Sequence, residues 1–213
     1  MKNYKFEKFK NYFFLKYEIL KAIDNLSFKV SQGERVAFIG PNGAGKSTTI
    51  KILTGLMQPT DGVVKVLDKN PIKDRKKLAL EISVVFGHCS KLWYQLPVVE
   101  SLNLLSVIYD VPHGEYIKIK ERLVELFSIG DLLHKHVRQL SLGQRMRCEL
   151  VASFLHKPKA VFLDEPTIGL DISAKAIFPI AYLNFFPVEF LRTLQFRNIV
   201  FSYAGAVLFF IEI

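Results

Sequence analysis

The stretch RVAFIGPNGAGKSTTIKILTGL, residues 35–56, runs from an apolar segment through a glycine-rich turn into a helical pattern. The apolar segment predicts a buried strand over residues 35–39, and the pattern after the turn predicts a helix over residues 46–56. The strand and helix would belong to an α/β fold. The residues of the helix that we expect to face its core are Ile50, Ile52 and Leu53.

The turn has the pattern G-x-x-x-x-G-K-S over residues 40–47. Glycines allow backbone N–H groups to turn inward around phosphate oxygens, and the helix N-terminus adds partial positive charge. Lys46 supplies a positive charge for the β- and γ-phosphates, and Ser47 supplies a hydroxyl ligand for Mg²⁺. An ordinary glycine turn needs neither residue, so the sequence predicts a nucleoside triphosphate site. The predicted contact residues are Gly40, Pro41, Asn42, Gly43, Ala44, Gly45, Lys46, Ser47 and Thr48.

A second motif, KAVFLDEPTIGLD at residues 159–171, ends an apolar run with two adjacent carboxylates. Asp164, at the end of the predicted strand, suits a water-mediated contact to Mg²⁺. Glu165 is placed to polarise an attacking water as a general base. An apolar run followed by Asp-Glu is weak evidence alone, but here it follows a phosphate-binding loop at a suitable distance. The predicted catalytic residues are therefore Glu165 and Lys46.

A third motif, LSLGQRMRCELVASFL at residues 140–155, predicts a helix that Ser141 caps. Taken alone, an ordinary capped helix explains this segment well. Its meaning therefore depends on the two motifs around it. The apolar stripe of the predicted helix consists of Met146, Leu150, Val151 and Phe154.

Taken together, in this order and spacing, the three motifs resemble the ATP-binding subunit of ABC transporters over residues 21–173. The resemblance implies ATP and Mg²⁺ as ligands and an α/β fold, with a P-loop NTPase sheet flanked by helices and an inserted α-helical subdomain. The C-terminal part of that core would be incomplete and replaced by an apolar tail. The expected parts are a nucleotide-binding core (1–87), a helical subdomain (88–155), a return to the core (156–173) and a permease-like hydrophobic tail (174–213).

Members of this family act as head-to-tail dimers, so the resemblance implies a second ATPase subunit. Ser141, Gly143 and Gln144 would face the γ-phosphate bound by the other subunit, although Leu142 replaces the commoner glycine. Asp171 resembles the aspartate that contacts the partner subunit. Tyr17 lies near the position of an adenine-stacking aromatic; Phe13 and Phe14 compete with it, and core packing explains all three equally well.

The segment FGHCSKLWYQLPVVESL, residues 86–102, most resembles the exporter branch that pairs with separate membrane permeases. A peripheral position on the cytoplasmic face of a bacterial-type plasma membrane follows. Two distant cysteines fit a reducing cytosol, and we find no signal-peptide pattern at the N-terminus. The net charge of +9 also fits a soluble ABC ATPase on ribosomes or DNA, but a single ATPase domain argues against nucleic acid.

Two departures from the family pattern bear on activity. His88 stands where the family has a glutamine that reaches Mg²⁺, and because Mg²⁺ prefers oxygen ligands we expect weakened coupling rather than lost binding. The family also has a γ-phosphate-contacting histidine after Glu165, and none of the five histidines here follows that residue. A degenerate remnant that binds ATP poorly and hydrolyses little is therefore an alternative.

The missing histidine belongs to a strand that the family places between the phosphate-loop strand and the Asp-Glu strand. Without it, the middle of the sheet would expose backbone groups. NIVFSY, residues 198–203, is a candidate to occupy the position and would bring Tyr203 near the switch site. FPIAYLNFFPVEFL, residues 178–191, is instead similar to the end of an exporter permease. A truncated ATPase fused to a permease remnant and a divergent but intact C-terminal half are both open.

Overall fold

The structure is a computed structural model that describes residues 21–87, 89–164 and 207–211. The expected strand and helix around the glycine-rich turn both form. Each ends earlier than predicted, since Ile39 is 75% exposed and Gly55, just past the helix, adopts a left-handed φ of 72°. The helices are α1 (Lys46–Leu53), α2 (Arg75–Glu81), α3 (Val98–Ile108), α4 (His113–Leu126) and α5 (Leu142–Phe154), with 3₁₀ turns at Gly130–Leu132 and Val137–Gln139. The strands are β1 (Arg35–Phe38), β2 (Ile82–Phe86), β3 (Ala160–Asp164) and β4 (Val207–Ile211).

The described strands form one sheet in the order β1-β4-β3-β2. β2 and β3 are parallel, with Phe86 opposite Asp164 at their carboxyl ends. β4 is antiparallel to both of its neighbours, and Val207 lies opposite Phe38 on one side and opposite Asp164 on the other. The edge that carries the end of β1 and the end of β3 therefore also carries the beginning of β4.

The gap expected in the middle of the sheet is closed, but by a different segment from the one proposed. Residues 207–211 lie between β1 and β3, in the position for which NIVFSY was the candidate, and residues 198–203 themselves lie outside the described residues. A central strand packs against neighbours on both faces and therefore favours an uninterrupted apolar run. VLFFI is such a run, whereas NIVFSY contains Asn198 and Ser202. Tyr203 lies outside the described residues.

The apolar composition of GVVKVL, residues 62–67, predicts a strand, but none forms there. The segment makes only an isolated antiparallel bridge between Val66 and Lys69. Gly62 has a φ of 94° and Leu67 a φ of 51°, so left-handed backbone interrupts both ends of the run. Val63, between these two residues, is 87% exposed. Apolar composition alone therefore gave a wrong prediction here.

The core divides into two clusters of buried residues. The smaller cluster lies between α1, α2 and the sheet. The larger one joins α3, α4 and α5. The apolar spacing of YIKIKERLVELFSI, residues 116–129, predicts a helix, and α4, whose Tyr116, Ile119 and Leu123 are buried, confirms it over most of that range. Among the described residues, none of the helices has the length and apolar character that crossing a bilayer requires. The four-part division of the chain remains a prediction.

Candidate nucleotide-binding site

Two glycines shape the loop between β1 and α1. Gly43 and Gly45 both have a φ of 84°, which side-chain-bearing residues rarely adopt. A Cβ on Gly45 would lie 2.5 Å from the carbonyl oxygen of Ala22, so there is no room for one. The backbone turns back on itself through a hydrogen bond from Ala44 N to Pro41 O at 3.2 Å. The loop thus has the form of a backbone cradle for an anion.

No side chain caps the beginning of α1, whose N-cap residue is Gly45. The first N–H groups of a helix have no partner within the helix and attract anions. Thr49 supports the first turn, since both its N–H and its hydroxyl donate to Gly45 O, at 2.8 and 2.9 Å. The loop and the helix N-terminus therefore present donors to a phosphate without competition from a capping side chain.

Lys46 lies over the loop that it follows. Its Nζ donates to the carbonyl oxygens of Gly40 and Pro41 at 2.7 and 2.8 Å. An ammonium group has three N–H donors, and these two carbonyls use two of them. The positive charge is thus held beside the cradle.

Ser47 and Asp164 come together from positions 117 residues apart. The Ser47 hydroxyl donates to Asp164 Oδ1 at 3.0 Å, and the Asp164 residue is only 4% exposed. A hydroxyl and a carboxylate side by side are oxygen donors of the kind that Mg²⁺ prefers. The residues present therefore fit Mg²⁺, the expected metal, and Ser47 and Asp164 would hold it.

The segment around position 88 also meets Asp164. Gly87 N donates to Asp164 O at 3.0 Å, and Cys89 N donates to Phe86 O at 3.2 Å. His88 itself lies outside the described residues, so its expected role at the metal remains a prediction. The same holds for Glu165, Tyr17 and Asp171.

Ser141 caps α5, as the sequence predicts. Its Oγ accepts from Gln144 N at 3.2 Å, and its N–H donates to Gln144 Oε1 at 3.0 Å, which makes a reciprocal capping box. The pattern S-x-x-Q indicates the bond from Ser141 N–H to Gln144 Oε1, but the sequence-based prediction included only the cap by Ser141. Ser141 is exposed, whereas Gln144 and Gly143, which lies between them, are half-buried. The four residues of the predicted stripe, Met146, Leu150, Val151 and Phe154, are all buried.

Sequence reasoning missed Glu149, a buried carboxylate on α5 that is 5% exposed. It accepts hydrogen bonds from Ser90 Oγ, from Lys91 N at 2.9 Å and from Leu92 N at 3.5 Å. The Lys91 side chain donates to Ser83 Oγ on β2 at 2.8 Å. Burial lowers the pKa of Lys91 to about 8, although the charge of Glu149 opposes that change. The feature of the sequence that could have indicated a buried carboxylate is the position of Glu149 beside the apolar stripe of α5.

A family model described as ABC transporter matches residues 23–168. The chain belongs to the ABC transporter family. Similar ABC transporter proteins include the ATP-binding protein NatA of Bacillus subtilis, 30% identical over 76% of this chain and 66% of NatA. The daunorubicin resistance ATP-binding protein DrrA3 of Streptomyces coeruleorubidus is 33% identical, over 73% of this chain and 49% of DrrA3. The chain thus spans between half and two thirds of the length of these relatives.

Solved structures of ABC ATPases show the same fold. The dimeric, post-hydrolysis ATP-binding cassette MJ0796, bound to ADP and Pi, is 26% identical with a TM-score of 0.68, over 80% of this chain and 78% of that one. An ATP-binding subunit of an ABC transporter is 28% identical with a TM-score of 0.63, over 68% of this chain and 60% of that one. The expected P-loop α/β architecture is therefore confirmed.

Proposed function

We propose that this chain is the ATP-binding and hydrolysing subunit of an ABC exporter that drives a separate membrane permease from the cytoplasmic face of the membrane. The observation that carries the proposal is the contact between Ser47 Oγ and Asp164 Oδ1 at 3.0 Å. It brings the phosphate-binding loop and the Asp-Glu strand to one place. Binding and hydrolysis of a nucleoside triphosphate require both parts.

In this proposal the loop amides and the N-terminus of α1 hold the β- and γ-phosphates of ATP. Lys46 exchanges its bonds to the loop carbonyls for bonds to phosphate oxygens. Ser47 and Asp164 would hold Mg²⁺, which neutralises phosphate charge when bound. Glu165, next to Asp164 in the chain, accepts a proton from water as the water oxygen bonds to the γ-phosphorus and the bond to the leaving oxygen of ADP breaks.

The partners in the proposal are a second ATPase subunit and the permease. The corner formed by Ser141, which is exposed, and by the half-buried Gly143 and Gln144 is suited to meet a phosphate held by the second subunit, because a helix N-terminus attracts anions. The names of DrrA3 and of the bacitracin transport protein BcrA of Bacillus licheniformis, which is 32% identical, refer to drug resistance and transport. They support an exporter rather than an importer.

We propose reduced hydrolysis relative to a complete family member. In the family, a switch histidine ends the strand next to the Asp-Glu strand, whereas β4, which occupies that place here, is antiparallel to β3. The last residue of β4, Ile211, therefore lies opposite Ala160, at the far end of β3 from Asp164. No histidine follows Glu165 in the chain, and His88 replaces the expected glutamine. The tail after residue 173 remains a proposed permease-like fusion, and an intact neighbouring permease gene with its own copy of residues 178–191 would count against it.

The test is to purify the whole chain and to measure MgATP affinity and turnover beside Glu165→Gln and Lys46→Ala variants. We expect slow turnover that Glu165→Gln abolishes without weakening binding, and binding at least about tenfold weaker in Lys46→Ala. An exposed histidine variant, His134→Gln, is the control and should behave as the unmodified chain. Equal turnover in the chain and in Glu165→Gln would contradict hydrolysis, whereas binding alone would support a remnant.

A further inference from the structure

The buried carboxylate of Glu149 connects two parts of the molecule that the proposed mechanism treats separately. Glu149 is part of α5, whose first turn is capped by Ser141 and contains Gln144. Its carboxylate accepts hydrogen bonds from residues 90–92, which lie two to four positions after His88. None of these interactions serves ATP itself.

Three donors converge on this one side chain. Ser90 Oγ and the Leu92 N–H approach Oε1, and the Lys91 N–H approaches Oε2 at 2.9 Å. Two of the donors are backbone groups, so the contact fixes the path of the chain and not merely a side chain. A carboxylate that is 5% exposed requires such donors, because burial without them would be costly.

The same short segment is attached to the sheet as well. Lys91 Nζ donates to Ser83 Oγ on β2 at 2.8 Å, and Cys89 N donates to Phe86 O at the end of that strand. Residues 89–92 are therefore held from two sides, by β2 and by α5. A movement of α5 relative to β2 must either carry this segment along or break these bonds.

We propose that Glu149 is a positioning residue that couples the segment after His88 to the corner formed by Ser141, Gly143 and Gln144. Glu149 lies eight positions after Ser141, which is about 12 Å along one rigid helix. A displacement of that corner on nucleotide binding would thus reach residues 90–92 through a single carboxylate. The coupling rests on the proposed function, because it assigns a role to the nucleotide-dependent movement of these residues.

The first experiment needs no nucleotide. Hydrogen exchange at the Lys91 and Leu92 amides is compared in the whole chain, in Glu149→Gln and in Arg147→Met. The amide of glutamine cannot accept a bond at both of its terminal atoms, so we expect exchange at least about tenfold faster in Glu149→Gln. Arg147 lies on the same helix but donates to Phe127 O and Ser128 O. Its loss should speed exchange near residue 128 and leave residues 90–92 unchanged.

The second experiment uses Trp93, the single tryptophan of the chain, which is 39% exposed and whose backbone N–H donates to Ser101 Oγ at 3.2 Å. We expect MgATP to change its fluorescence in the unmodified chain. In Glu149→Gln that response should be lost, kcat should fall about tenfold, and KM should change less than about twofold. A Glu149→Asp variant keeps the charge and should recover part of the response.

Several results would overturn this role for Glu149. Unchanged exchange at residues 91 and 92 in Glu149→Gln would show that the carboxylate does not hold the segment, and equal acceleration in Arg147→Met would trace the effect to lost stability. A Trp93 response that survives in Glu149→Gln, or that is absent when the unmodified chain binds ATP, would exclude the coupling. Failure of the unmodified chain to bind ATP would instead contradict the proposed function, and the exchange experiment would still decide whether Glu149 holds the segment.

Discussion

β3 and β4 are neighbours in the sheet, have five residues each and reach the same edge in opposite directions. β3 runs parallel to β2 and brings Asp164, its last residue, to the edge of the sheet at which Asp164 meets Ser47. β4 runs antiparallel and brings Val207, its first residue, to that edge. Two apolar strands can therefore complete the same sheet, but only the direction of a strand decides which flanking residues approach the ligand.

The largest expected effect comes from breaking the backbone of β4. Phe209 lies opposite Val36 on one side and Phe162 on the other, so proline there removes a ladder donor at the centre of the sheet. We expect Phe209→Pro to lower the free energy of unfolding by about 3 kcal/mol or more in urea denaturation. Phe209→Leu keeps the backbone donor and is the control. Equal free energies of unfolding in the two variants would show that the backbone pairing of β4 does not stabilise the sheet.

A second effect concerns the β2 side of the sheet and depends on pH. His156 Nε2–H donates to Ile82 O at 3.0 Å and its ring stacks on Tyr109, with ring centroids 3.8 Å apart. The pKa of His156 is lowered from 6.5 to about 4, mainly by burial; the bond to Ile82 opposes this change, and the nearby charge of Lys91 contributes to it. The depressed pKa adds stability that is complete above pH 6.5 and decreases as the pH falls towards 4.

The contribution of His156 amounts to at most about 3 kcal/mol. We expect the urea midpoint of the chain to fall between pH 6.5 and 4, and to fall less in a His156→Gln variant. His134→Gln, which changes an exposed histidine, should follow the unmodified chain. A pH dependence of His156→Gln as steep as that of the unmodified chain would contradict this assignment.

A third prediction compares the two strands at the ligand edge. Asp164→Asn removes the charge that faces Ser47, so we expect MgATP binding about tenfold weaker, measured by calorimetry, with little change for ATP without Mg²⁺. Val207 meets Asp164 through backbone pairing. Val207→Ile should therefore leave MgATP affinity within about twofold. Equal losses in the two variants would mean that β4 contributes to the metal site.

The smallest expected effect is at the cap of α5, the helix that packs on β2. Ser141→Ala removes the acceptor for Gln144 N and should lower the free energy of unfolding by about 1 kcal/mol. Ser141→Asp retains an acceptor at the cap and should recover most of that loss. A loss as large as that of Phe209→Pro would show that Ser141 does more than cap α5.

Sequence patterns were most informative for features that depend only on residues close together in the chain. The strand, turn and helix around residues 40–47 depend on neighbouring residues and on glycines with a left-handed φ, so the pattern predicted them with small errors at the ends. The cap at Ser141 and the stripe of α5 are local in the same sense. GVVKVL shows the limit, because its apolar residues carry no information about whether a partner strand is in reach.

The buried residue Glu149 was not predicted for a related reason. Its donors lie 57 to 59 positions earlier in the chain, and two of the three are backbone N–H groups, which nearly every residue has. A carboxylate in an apolar stripe indicates a partner but does not identify one. Only the folded structure identifies the donors of Glu149, because it brings α5 and residues 90–92 together.

The amino-acid sequence alone determined the phosphate-binding loop, the Asp-Glu strand end and the membership in a family of ATPases, because these depend on residue types at short, regular spacing. Tertiary structure alone decided that Ser47 meets Asp164, that residues 207–211 close the sheet, and that β4 runs antiparallel. The physical reason is that strands pair through hydrogen bonds between backbone groups, which are common to nearly all residues and so do not specify a partner. Direction and partner are therefore set by which distant segments the folded chain brings together.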